Sequence, residues 1–176
     1  METLVQFIIE FWERLLPIVI IPPWQQGVIA HLSMERFTRK VDSGIHFKIP
    51  FIDEVITAEH KLQVQPLRTQ SIRTLDGVCL SITGALRYRI NDLKQTVLTV
   101  QDWDSSLQDL ALGLITEFVN THNDHNCTVA NIQRHVMSNI GNASRGWGLD
   151  VQNFYVVDIV DHEVHRITGI SLSDMG

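Results

Sequence analysis

The histidines are the residues of this chain with the most scope for chemistry. His122, His125, Cys127 and His135 crowd one short stretch, and His162 and His165 form a second pair. Imidazole and thiolate are zinc ligands, so the first group invites comparison with a metal-dependent hydrolase. Its spacing matches no standard zinc pattern, however, and Asn123, Asp124 and Asn126 make the stretch read as a polar loop between helices. His162 and His165 would meet only on a helix, whereas Asp158 and Asp161 suggest the end of a strand. P-loop, GxGxxG, GxSxG, HExxH and CxxC motifs are all missing from the sequence. Taken alone, residue chemistry supports no enzyme, no catalytic or metal-ligating residue and no cofactor.

The elements that would have to position any site are ordinary in scale. The chain has 176 residues and a formal net charge of −6, with 44% hydrophobic and 19% charged residues. That length is enough for one domain of one or two lobes, with a real core and no need of staples. Two cysteines, Cys79 and Cys127, exclude a disulfide framework. The basic residues are dispersed over an acidic chain, so no footprint for nucleic acid is present.

The apolar surplus lies at the start. Residues 4–21 are mostly apolar, and on a helix Gln6, Glu10, Glu13, Arg14 and Pro17 fall on one narrow stripe. The rest of the circumference is a wide apolar arc that includes Phe7, Ile8, Phe11, Trp12, Leu15 and Leu16. The start lacks the basic region and cleavage site of a signal peptide. A spanning helix would barely cross the bilayer core and would carry three charges into it. A helix lying in the interface, or entering one leaflet and turned back by Pro17, Pro22 and Pro23, fits better. Trp12 and Trp24 would then sit near headgroup level. The competing structural reading is a terminal helix packed on the domain's own core.

Strands follow. Ile56, Ala58, His60, Leu62 and Val64 alternate with polar residues, as in one half-buried strand. Asp76-Gly77 signals a hairpin turn, after which Val78, Leu80, Ile82, Gly84, Leu86, Tyr88 and Ile90 share one face of a long strand. Cys79 points the other way and reads as a sheet residue. A short helix is predicted over residues 92–100. A stronger one covers 105–122, with Ser105 and Gln108 at capping-box spacing, and Thr128 caps a third that stops at Gly141. Residues 149–160 read as a closing strand. This order of strands, helices and a last strand predicts an α+β domain.

Four segments in order carry a resemblance. They are GIHFKIPFIDEV at residues 44–55, DGVCLSITGALRYRINDLKQTV at 76–97, DWDSSLQDLALGLITEFV at 102–119 and WGLDVQNFYVVDI at 147–159. Together they resemble the SPFH (band 7) superfamily, which includes stomatin, prohibitin and flotillin. The resemblance implies an SPFH domain over residues 25–160, with a β-rich N-terminal lobe and a helix-containing α/β lobe. A membrane-attaching segment would occupy residues 1–24 and a short tail residues 161–176. Family members usually continue into a coiled coil, whereas residues 161–176 show no heptads. Assembly is therefore expected to rest on the domain itself.

The family signature falls on Gly44, His46, Pro50 and Asp53. Gly44 permits a turn and Pro50 ends a strand. Ile45, Phe47 and Ile49 are expected mainly in the core of the β-lobe, with Phe51 the better candidate for lipid. The expected membrane contacts are thus Phe7, Ile8, Phe11, Trp12, Leu15, Leu16, Ile18, Ile20, Trp24 and Phe51, and the expected helix-stripe oligomer contacts are Glu10, Glu13 and Arg14. The resemblance implies a non-enzymatic scaffold on one side of a membrane, forming a homo-oligomer or a hetero-oligomer with related subunits. It also implies a membrane protease or another membrane protein as a partner. An accessory or viral structural subunit with the same fold is the alternative.

Overall fold

The computed structural model describes residues 15–32 and 38–162, together with Gln6. The chain forms strands β1 (Ile18–Ile21), β2 (Gln25–His31), β3 (Arg39–Val41), β4 (Gly44–Phe47), β5 (Asp53–Glu59), β6 (Gln63–Pro66), β7 (Gln70–Arg73) and β8 (Cys79–Ile90). Helices α1 (Leu93–Thr99), α2 (Trp103–Thr121) and α3 (Val129–Gly146) follow, and β9 (Leu149–His162) closes the fold.

The larger lobe is organised by β8. It pairs antiparallel with β9 from Ile90↔Leu149 to Cys79↔His162, while β6 and β7 share its other edge. Alternate residues Leu80, Ile82, Leu86, Tyr88 and Ile90 are buried, the pattern of a sheet covered on one face. They meet Leu107, Ala111 and Ile115 of α2 and Ile132, Val136 and Ile140 of α3 in one continuous core. Burial pushes the Tyr88 phenol upward, and the neighbouring Asp104 adds to it through a hydrogen bond.

In the smaller lobe β2 lies between β3 and β5. Its two faces are both buried: Val28 joins the main core, whereas Ile29 packs with Ile21 and Val41. Buried Gln26 donates its side-chain amide to the Ile90 carbonyl at 3.1 Å and ties the lobes together. The ribbon of β1 and β4 closes over the outer face of this sheet. It approaches so closely at Gly27 that an added Cβ would stand 2.4 Å from Ile21 Cδ1.

Several sequence expectations change. The run at 56–64 is two strands, because the chain leaves β2 after Glu59 and reaches β8 at Gln63. One alternation therefore spans two sheets, and Val64 is exposed. The cap of α2 is Asp102 rather than Ser105: its carboxylate accepts from the Ser105 N–H at 3.1 Å and hydroxyl at 2.7 Å. Gln108 instead donates to the Pro66 carbonyl. Helix α3 runs through Gly141 to Gly146, and Thr128 occupies its N-cap position without a side-chain capping bond. Residues 18–21, expected within a helix, form β1. Pro17 disfavours helix at the residue before it, and its carbonyl accepts from the Lys48 N–H at 2.9 Å.

Candidate functional site

The register of β1 on β4 sets Ile18 opposite Phe47 and Ile20 opposite Ile45. Directly opposed residues share a face, so these four side chains stand together. Val19 and Ile21 point inward, onto the small core. The shared face is open to solvent: Ile20 is 71%, Ile45 67% and Phe47 69% exposed. Ile45, Phe47 and Ile49 are therefore not core, contrary to the sequence expectation. Alternation sorted them onto one side of the strand correctly, but the side facing the protein is taken by Ile21 and Gly44, not by them.

The apolar face runs on into the tip of the lobe. Leu16, Leu32, Ile49, Phe51 and Ile52 are all exposed there. Scattered exposed apolar residues are normal, but an aligned face continuous with an apolar tip marks a docking surface. Phe51 sits in the left-handed region, at φ 65°. For a non-glycine residue this costs about 1–2 kcal/mol. The turn that holds it is clamped by Asp53, whose carboxylate accepts from the Ile49 N–H at 2.8 Å. Its other oxygen lies 2.7 Å from His31 Nδ1, and the Asp53 N–H donates to the Ile49 carbonyl. Burial works to raise the Asp53 carboxyl, but the hydrogen bonds from His31 and Ile49 outweigh it and hold the group below its ordinary value.

Pro50 belongs to the same turn, whereas Gly44 and His46 frame the opposite end of β4. Gly44 has φ +138°, a conformation closed to most side chains. His46 Nε2 meets the Asp42 carbonyl at 2.7 Å. Between ribbon end and sheet lies a groove of about 520 Å³ lined by Ile29, His31, Arg39, Phe47, Lys48, Ile49 and Asp53. Arg39 donates to the Phe47 carbonyl across it.

Of the residues expected at a membrane, the structure brings together Leu15, Leu16, Ile18, Ile20 and Phe51 on this face and tip. Trp24 is exposed too, but it follows Ile21 at the Gly44 end, where Lys61 Nζ lies 5.8 Å from its ring centroid. Phe7, Ile8, Phe11 and Trp12, and the stripe of Glu10, Glu13 and Arg14, lie outside the described residues. Among the described residues no helix is long and apolar enough to cross a membrane.

Residues 122–128 form the expected connection between helices, but two of the histidines are not solvated loop residues. His122 stacks on Phe118 with centroids 4.1 Å apart, and His135, on α3, tilts against the same ring at 5.1 Å. They line a groove of about 480 Å³ with Asn126, Asn131, Arg134 and Ser138. His125 is exposed, and Cys127 is buried in the main core, where burial pushes its thiol up. No group of three His, Cys, Asp or Glu among the described residues could hold a metal ion. His162 ends β9, and His165 lies outside the described residues.

A family model described as SPFH domain / Band 7 family matches residues 19–168. Stomatin of Mus musculus is 22% identical over 158 residues, covering 89% of this chain and 55% of that protein. A putative band 7 family protein of Acanthamoeba polyphaga mimivirus is 19% identical over 149 residues, 84% of this chain and 48% of that protein. An uncharacterized protein of Schizosaccharomyces pombe is 29% identical over 139 residues, 77% of this chain and 39% of its own length. The chain spans about half the length of the curated relatives it matches.

Proposed function

The chain belongs to the SPFH domain / Band 7 family, and on that premise we propose that it is a non-enzymatic, membrane-attached scaffold subunit. It rests the outer face of β1 and β4 on lipid and assembles laterally with copies of itself or with related subunits. In this way it gathers membrane-protein partners on one side of the bilayer. The observation that carries the reading is the exposed row of Ile18, Ile20, Ile45 and Phe47, which continues into Ile49 and Phe51.

The energetics fit a cooperative device. Full burial of one such side chain is worth about 1.5–3 kcal/mol, and these are only partly open, so six recover on the order of 6–10 kcal/mol. Immobilising the subunit costs at least about 4 kcal/mol. A single subunit would therefore hold weakly, and linked subunits firmly, because each later contact is intramolecular.

The second reading is an accessory structural subunit that buries the same exposed row of Ile18, Ile20, Ile45 and Phe47 against another protein. Flotation with protein-free liposomes separates the two. Binding to lipid alone, with an oligomeric mass in mild detergent, supports the scaffold. A strictly monomeric protein that ignores liposomes refutes it. Any truncation in this experiment must stop before Pro17, since a cut at residue 24 removes β1 and uncovers the small core.

A further inference from the structure

We infer that the tip at residues 49–52 selects lipid by packing rather than by charge: it enters the gaps between headgroups of strongly curved or loosely packed bilayers. The inference rests on the membrane reading above and specifies which bilayer that face prefers.

The tip is a neutral, braced wedge. Its sequence, Ile49-Pro50-Phe51-Ile52, holds no charged or polar side chain, and Ile49, Phe51 and Ile52 are all exposed. Its shape is held from within: the Ile49 N–H donates to the Asp53 carboxylate at 2.8 Å, and the Ile52 N–H to the Ile49 carbonyl at 3.3 Å. The Leu32 N–H, just past β2, holds the Ile52 carbonyl at 2.9 Å. A turn braced in this way does not flatten along a surface as a loose loop would. It goes in where headgroups already stand apart, the condition that curvature and unsaturated chains create.

The unbonded backbone groups set the depth. Among the described residues the Phe51 N–H and the Pro50 and Phe51 carbonyls have no hydrogen-bond partner. In hydrocarbon each would carry a penalty of several kcal/mol, so the tip stops at the ester layer, where water still reaches it. Charge adds little there. The chain has a formal net charge of −6, and the described cations beside the tip are engaged. His31 faces Asp53 at 2.7 Å, Arg39 donates to the Phe47 carbonyl, and Lys48 has a partner as well. An anionic leaflet strengthens binding through cations that face it, and this tip presents apolar side chains instead.

Flotation tests this with one unsaturated phosphatidylcholine as vesicles about 30 nm and about 200 nm across, and with the larger size carrying about one-fifth phosphatidylserine. The wild type should bind the small vesicles at least about tenfold more tightly than the large ones, equivalent to about 1.4 kcal/mol. It should bind the two large kinds alike, within about threefold. Phe51→Asn keeps the turn, because asparagine tolerates the left-handed region, and should bring the size ratio below about threefold. Ile20→Thr with Ile45→Thr thins the face and leaves the tip, so binding should fall on both sizes with the ratio kept. A thermal melt accompanies each variant, and Phe51→Gly carries the test if Phe51→Asn melts early. Equal binding of the wild type to both sizes overturns the inference but not the membrane reading. So does a size ratio that survives the tip variant, or a tighter hold on the anionic vesicles than on the small ones. Binding to no vesicle overturns both.

Discussion

Replacing Ile20 and Ile45 together by Thr tests the docking face with little disturbance of the fold. The two residues are direct cross-strand partners, and 71% and 67% of their surface is open. Thr keeps the β-branch that suits a strand and forms acceptable cross-strand pairs, so the ribbon should survive. Fully burying an isoleucine is worth about 1.5–3 kcal/mol, so the open two-thirds of each side chain recovers about 1–2 kcal/mol on entering lipid. The double substitution should cost about 2–3 kcal/mol of attachment, which is a loss of about 30- to 150-fold in partition coefficient. Co-sedimentation with phosphatidylcholine liposomes at limiting protein reads this directly. Avidity would compress the ratio if the protein binds as an oligomer, so dilution below the assembly threshold belongs in the design. A variant that binds within about threefold of the wild type, with an unchanged melting temperature, refutes the argument that this face docks on lipid.

Three further substitutions have opposed or signed outcomes. Phe51→Gly should raise stability by up to about 1 kcal/mol, because glycine relieves the positive φ, and weaken liposome binding several-fold; a calorimetric midpoint and a binding curve must move in these opposite directions. Asp53→Asn should lower the midpoint at neutral pH by loosening the turn at residues 49–53. Because the folded carboxyl is held below its ordinary value, the wild type's advantage is complete above the unfolded pKa near ~3.9 and fades as pH falls through the folded one. Denaturant titrations between neutral and strongly acidic pH should show the two proteins converging only at the acid end. His122→Ala should cost about 0.5–1.5 kcal/mol in chemical denaturation through the lost stack on Phe118; no change at all would return this residue to the solvated loop.

Much of the larger lobe was legible because its physics is one-sided. Strand β8 is covered by helices on one face only, so its alternation reads directly as burial, and α2 shows its stripe for the same reason. What failed was local chemistry with two solutions. Asp102 and Ser105 both suit a cap, and the choice went to the residue whose carboxylate can take the Ser105 N–H and hydroxyl together. The alternation at 56–64 continues across a change of partner strand, and periodicity carries no mark of that change. The apolar alternation of Ile45, Phe47 and Ile49 defines a face but not its direction. Two details set the direction: inward-facing Ile21 fills the space above Gly27, and its partner on β4, Gly44, adds no side chain of its own at that point.

That division of labour explains why the signature residues and the exposed apolar residues are different ones. Gly44 and His46 fix the turn that enters β4, while Pro50 and Asp53 fix the turn that leaves it. The Lys48 N–H holds the same stretch to the Pro17 carbonyl. Each of these contacts constrains the backbone so that the side chains between them face outward. A docking surface for a fluid bilayer needs apolar area in a fixed plane rather than one particular side chain at each position. The frame must therefore be specific in sequence, whereas the face it presents needs only to be apolar. In this chain that requirement is met by isoleucine at positions 18, 20, 45 and 49 and phenylalanine at 47 and 51.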